Sequence, residues 1–289
     1  MRRETLHAWL LLLPAAVLLA SFTHIPAIET VVNSFFSTAR GMRPSHFVGL
    51  GNYRNLIADP TFWQAMRNNL LYAAITIPLS MGIALAMALL VRGRIGGRGF
   101  LRMAFFTPTV LPLIAVANIW IFFYTPGFGL LNQIGALFGL PNMNFLGQGA
   151  TALYAVAAVS VWKEAGFFMI FYLAALQTIP PSLIEAARLE GASSWHVFRR
   201  VTLPLIMPTT LFISVNAVIN AFRLVDQVFV MTQGGPDNAS TLLFYYIYQV
   251  GFQFWDTAYA ATLTVVMLAI LVAIAIGQFF LLDRKVHYR

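Results

Sequence analysis

Along the chain, apolar residues gather in runs of membrane-crossing length, set apart by short polar stretches. Six runs stand out, at Ala8–Ile28, Asn69–Val91, Met103–Tyr124, Ala150–Ala175, Leu203–Met231 and Thr257–Leu282. Covering a hydrocarbon core of about 30 Å takes about 20 helical residues, and each run is long enough. The runs lack the period-2 alternation of a barrel strand, and lipid offers no partner to an unpaired backbone amide, so all six are predicted to be helices. The pattern predicts one all-α membrane domain over residues 1–289 with six transmembrane helices. The first run is longer than the roughly 7 to 15 residues of a signal-peptide core, which predicts an uncleaved helix. Pro14, Pro78, Pro108 and Pro112 fall inside runs, where they free carbonyls and bend helices.

Composition agrees with this pattern. Of 289 residues, 59% are hydrophobic and 10% charged, proportions foreign to a water-soluble domain. The net charge of +8 comes from arginines beside the apolar runs, with no basic stripe interleaved with aromatics, which argues against nucleic acid. Arg2, Arg3, Arg92, Arg94, Arg98, Arg102, Arg188, Arg199, Arg200, Arg284, Lys285 and Arg289 all belong to alternate connections. The opposite connections hold only Arg40, Arg43, Arg54 and Arg67, and 125–149 carries no charge. Because lysine and arginine are retained inside, both termini are expected in the cytoplasm and the chain in the inner (plasma) membrane.

Several chemistries are excluded. With no cysteine there is no disulfide framework, thiolate metal site or cysteine nucleophile. No Gly-x-x-x-x-Gly-Lys-Ser/Thr, His-Glu-x-x-His or Gly-x-Ser-x-Gly occurs, and the five histidines are scattered among termini and loops. No catalytic residue and no metal site are therefore expected, and no cofactor is expected on this chain.

The connection over residues 180–204 differs from the others in being long, polar and structured. Pro180 and Pro181 stop the preceding helix, Ser182 and Glu185 have the spacing of a capping box, and Gly191 ends the helix so started. Leu183, Ile184, Ala187 and Leu189 are read as its contact residues, with Glu185, Arg188 and Glu190 in water.

Here the sequence resembles the permeases of binding-protein-dependent ABC importers. Their signature is matched by Glu185, Ala186, Ala187, Gly191, Leu203 and Pro204, with Val201 standing in place of isoleucine. Phe47–Tyr53 and Val230–Pro236 resemble further family segments, and Leu173–Pro180 and Lys285–Tyr288 resemble the carbohydrate-uptake members, glycerol 3-phosphate permeases included. The resemblance implies a type I ABC importer permease (MetI-like) fold with a cytoplasmic coupling helix. It implies a second permease subunit, two copies of an ATPase that bind ATP and Mg, and an extracytoplasmic binding protein as partners. A secondary transporter or channel is the alternative.

Ionisable residues at membrane depth cost about 2.5 to 3.5 kcal/mol each on insertion scales, so they normally face a protein interior or cavity. Lys163 and Glu164 in the fourth run, and Arg223 and Asp226 in the fifth, are the candidates for the solute pathway. On a continuous helix the last two would pair at i, i+3. Asn216, Asn220 and Gln227 add neutral hydrogen-bonding groups suited to hydroxyl-rich solutes. The aromatic stretch Phe244–Trp255 is expected at a membrane interface.

Overall fold

The computed structural model describes residues 2–93 and 96–283, with side chains from Trp9 to Phe280. Arg94, the basic residues Arg284, Lys285 and Arg289, and the segment 285–288 lie outside the described residues. Among the described residues every regular element is helical, and the only strand-like pairings are the isolated bridges Phe36 with Phe47 and Arg40 with Arg43. The helices are α1 (2–33, continuous through a π turn at Ala20–His24), α2 (Gly51–Ala58), α3 (Pro60–Arg92), α4 (Arg98–Val110), α5 (Leu113–Tyr124) and α6 (Leu130–Leu137). They continue as α7 (Ala152–Thr178), α8 (Pro181–Leu189), α9 (Ser194–Val197), α10 (Met207–Phe222), α11 (Asp226–Met231), α12 (Leu243–Tyr248) and α13 (Thr257–Asp283).

Five stretches are long and apolar enough to cross a bilayer: Trp9–Asn33, Pro60–Arg92, Ala152–Thr178, Met207–Met231, which is interrupted at 223–225, and Thr257–Phe280. The third run, Met103–Tyr124, departs from the expected single helix. It is divided into α4 and α5, bent by 103° at the break. Pro112 is the reason, because a proline forces the residue before it out of the helical region, and Leu111 is extended with ψ 136°.

The chain divides into two compact units. One comprises the described residues up to Phe62 with Tyr246–Ala269. In it the Asp59 carboxylate, at the end of α2, accepts hydrogen bonds from the hydroxyls of Tyr246 at 2.6 Å and Tyr259 at 2.7 Å. It also accepts the backbone N–H of Thr61 at 2.8 Å, at the first turn of α3. Burial pushes the Asp59 carboxyl up, but these hydrogen bonds outweigh it and hold the group below the usual carboxylate range. Burial, together with the same carboxylate, pushes the Tyr246 hydroxyl up. The hairpin at 36–47 is tied down by Asp256, which accepts Thr38 Oγ1 at 2.5 Å and pairs with Arg40 at 2.7 Å.

The other unit comprises Trp63–Tyr245 and the described residues from Ile270. Its core is built by α3, α7 and α10: Ala84, Ala88 and Val91 meet Phe168, Met169, Tyr172 and Leu176, with Ile206, Ile213 and Ala217 completing the cluster. Small residues on α3 let the backbones approach, the usual packing device where lipid removes the hydrophobic drive between helices. Gly166 takes this furthest, since a Cβ there would collide with the Phe105 carbonyl oxygen of α4. The aromatic stretch before α13 splits by depth: Tyr245 and Tyr246 are buried, while Phe252, Phe254 and Trp255 are exposed as a belt requires.

Candidate functional site: a connecting helix and a cavity at two helix breaks

Two places in the second unit carry the residues singled out from the sequence. The first is α8. The spacing of Ser182 and Glu185 suggested a capping box, but the helix starts one residue earlier, with Pro181 at its first position and no side-chain cap on Pro180. Proline preset at a helical φ makes the better first residue, and Ser182, already inside the helix, is not in the N-cap position. The C-terminal end follows the sequence reading. Gly191 has φ +81°, its N–H donates to Arg188 O at 3.0 Å, and the Ala192 N–H donates to Ala187 O at 3.0 Å. This is a Schellman closure, which favours glycine at the left-handed position.

The faces of α8 differ from the expected assignment. Ile184 packs against the core cluster and anchors the helix to its own chain, and Ala187, one turn later, is half-buried. Leu183 and Leu189 point outward, the latter 90% exposed, with Glu185, Ala186, Arg188 and Glu190 around them. Beyond Gly191 the chain turns into α9, whose N-cap Ser193 accepts the His196 N–H at 3.3 Å, and Trp195 stacks on Phe198 while remaining exposed. Leu203 packs on the core and Pro204 is exposed. Of the signature residues, Glu185, Ala186, Gly191 and Pro204 are thus accessible, while Ala187 and Leu203 serve the inner side.

The second place is a cavity of about 400 Å³ lined by Thr109, Ser160, Lys163, Glu164, Asn220, Arg223 and Asp226 among others. Two interrupted helices meet it. The α4–α5 break contributes Thr109 and Leu113, and the break between α10 and α11 contributes Arg223, Leu224, Val225 and Asp226. That second break corrects the expected pairing of Arg223 with Asp226. Arg223 closes α10 and Asp226 opens α11, so they do not share a helical turn, and among the described residues no ion pair joins them.

Lys163 is committed to the backbone. Its ammonium donates to the carbonyls of Pro108 at 3.0 Å, Thr109 at 3.3 Å and Leu111 at 2.5 Å. Glu164 faces the Asn220 side chain. Asn216 turns its amide back to Phe212 O at 2.8 Å and does not line the cavity. Gln227 is fully buried and accepts the Ser160 hydroxyl, which places it behind the cavity wall. Reading ionisable and amide residues from the sequence located this site but missed Thr109 and Ser160, whose types carry no signal of their own. Among the described residues no cluster of histidine, aspartate or glutamate has the arrangement of a metal site.

Residues 77–288 match the family of binding-protein-dependent transport system inner membrane components. The chain belongs to this family. The permease is 34% identical to the sulfoquinovosyl glycerol transport system permease protein of Agrobacterium fabrum, over 92% of this chain and 87% of the relative. It is 30% identical to the sn-glycerol-3-phosphate transport system permease protein of the same organism, over 97% and 96% of the two chains. A crystal structure of a bacterial ABC transporter that imports the acidic polysaccharide alginate superposes with a TM-score of 0.85 at 24% identity, covering 98% of the permease and 96% of that chain. The fold is therefore that of these importer permeases. The permease is a multi-pass inner-membrane protein and belongs to a non-catalytic class of subunit.

Proposed function

We propose that this permease forms half of the translocation pathway of an ATP-driven importer, one membrane domain that takes a sugar or glycerol 3-phosphate from an extracytoplasmic binding protein. A second permease supplies the other half, and two copies of a cytoplasmic ATPase, carrying ATP and Mg, supply the energy. The observation that carries this reading is the two-sidedness of α8: Ile184 holds it to the core, with Ala187 half-buried, while Leu183 and Leu189 stay uncovered. A helix fixed on one side, with exposed leucines among charged residues elsewhere, suits a groove on a partner, and a stiff contact transmits displacement that a loose tether would absorb.

In this reading both termini and α8 are cytoplasmic, Glu185, Ala186, Ala187, Gly191, Leu203 and Pro204 form the coupling segment, and the cavity with Glu164, Asn220, Arg223 and Asp226 is the solute path. Its substrate class is supported by relatives named for glycerol 3-phosphate and a sulfo-sugar glycerol. The test is co-purification with the ATPase and uptake into proteoliposomes with ATP present or absent. Transport without an ATPase would establish the secondary-transporter alternative. The lack of native cysteine permits labelling at Ser193→Cys, and reaction with an impermeant reagent from outside would overturn the orientation.

A further inference from the structure

A lysine inside a transport cavity invites the role of counter-charge to an anionic solute. The geometry points to a different one: we propose that Lys163 is a positioning residue, which fixes the angle between α4 and α5 and so the wall that the break gives the cavity. That the cavity is the solute path rests on the reading above; the role of the lysine in the break does not.

The break creates a need that lipid cannot meet. The last carbonyls of α4 have no N–H four residues on, because Pro112 lacks one and Leu111 is extended. Where no bulk water replaces the missing donors, each unsatisfied group is costly. An ammonium has three N–H groups, and all three of Lys163 are spent on Pro108, Thr109 and Leu111. A positive charge at a helix C-terminus also opposes the negative end of the helix dipole. One turn along α7, Gly166 brings the same α4 backbone to within contact, so α4 is held to α7 at two levels, by a glycine gap and a cationic cap. With its donors filled, the lysine has none left for a solute. Arg223, exposed on the cavity and without a hydrogen bond from its guanidinium among the described residues, is the cation that remains available.

The test uses the full-length chain in nanodiscs with spin labels at Met103→Cys on α4 and Phe122→Cys on α5, both exposed positions flanking the break. Lys163→Met is expected to shift and broaden the distance distribution, and Lys163→Arg to restore it, since a guanidinium presents several donors on a stem of similar reach. An unchanged distribution in Lys163→Met overturns the proposal, as does a distribution that Lys163→Arg leaves as altered as Lys163→Met does. Should Lys163→Met fail to accumulate, Lys163→Gln keeps two donors on a shorter stem and gives the same reading at smaller amplitude. The distances need no solute and no ATPase, so their outcome is separate from that of the functional reading.

Discussion

α1 and α7 are both long enough to cross a bilayer, yet they differ in where their side chains go. In α1 none of the most apolar window is buried, although it is the richer of the two in leucine; in α7, which carries Ser160, Lys163 and Glu164, 56% is buried. In water the more apolar helix would be the inner one. In lipid the ranking inverts, because hydrocarbon receives leucine as readily as a protein core does, and only packing and polar contacts reward burial.

That comparison can be broken at its strong end first. Phe168 is fully buried on α7, and Phe168→Ala should cost about 3 kcal/mol, the low end for such a truncation because lipid removes part of the transfer term. Thermal unfolding in detergent measures it, and a loss no greater than that of Leu11→Ala on α1 would show that α7 is not the core helix. Next, Gly166→Ala places a methyl against the Phe105 carbonyl and should destabilise by about 1 to 3 kcal/mol through overpacking. Gly191→Val forces a β-branched residue to φ +81°, a strain of about 1 to 2 kcal/mol confined to the end of α8. Its expected result is weakened ATPase co-purification in a protein that inserts normally, and full co-purification would remove the coupling role of the segment. Leu11→Ala, at a position 82% exposed, should change stability by less than about 0.5 kcal/mol.

The smallest effect concerns the unit that contains α1. The Asp59 carboxyl titrates below its unfolded value of about 3.9, so it contributes stability that is complete above that pH and lost as pH falls through the lower folded value. Asp59→Asn should therefore flatten acid unfolding below about pH 4. An acid limb as steep in the variant as in the parent would dismiss the clamp on Tyr246 and Tyr259.

The same contrast explains what the sequence disclosed. Six apolar runs were legible because lipid imposes length and composition on every span, and Gly191 was legible because few residues other than glycine settle at positive φ. The start of α8 was not, because Pro181 and Ser182 compete for it and pattern alone does not say which begins it. The inward turn of Ile184 and Ala187 was equally hidden, since Leu183 and Leu189 stand exposed on the same helix and type alone does not separate the four. Most opaque was Lys163, whose partners are carbonyls that every residue possesses; no side-chain pattern announces them. The break at Arg223–Val225 likewise contains no proline or glycine to mark it.

Because the acceptors of Lys163 are backbone atoms, the seat is indifferent to which side chains occupy positions 109–111 but strict about how many residues lie there. Deleting one would rotate the carbonyls that follow by about 100° around the helix axis, away from the ammonium. The contact therefore predicts that this stretch tolerates substitution more readily than insertion or deletion. Among homologues that retain the lysine, spacing between the two prolines, more than residue identity, is the quantity that this contact leaves no room to vary.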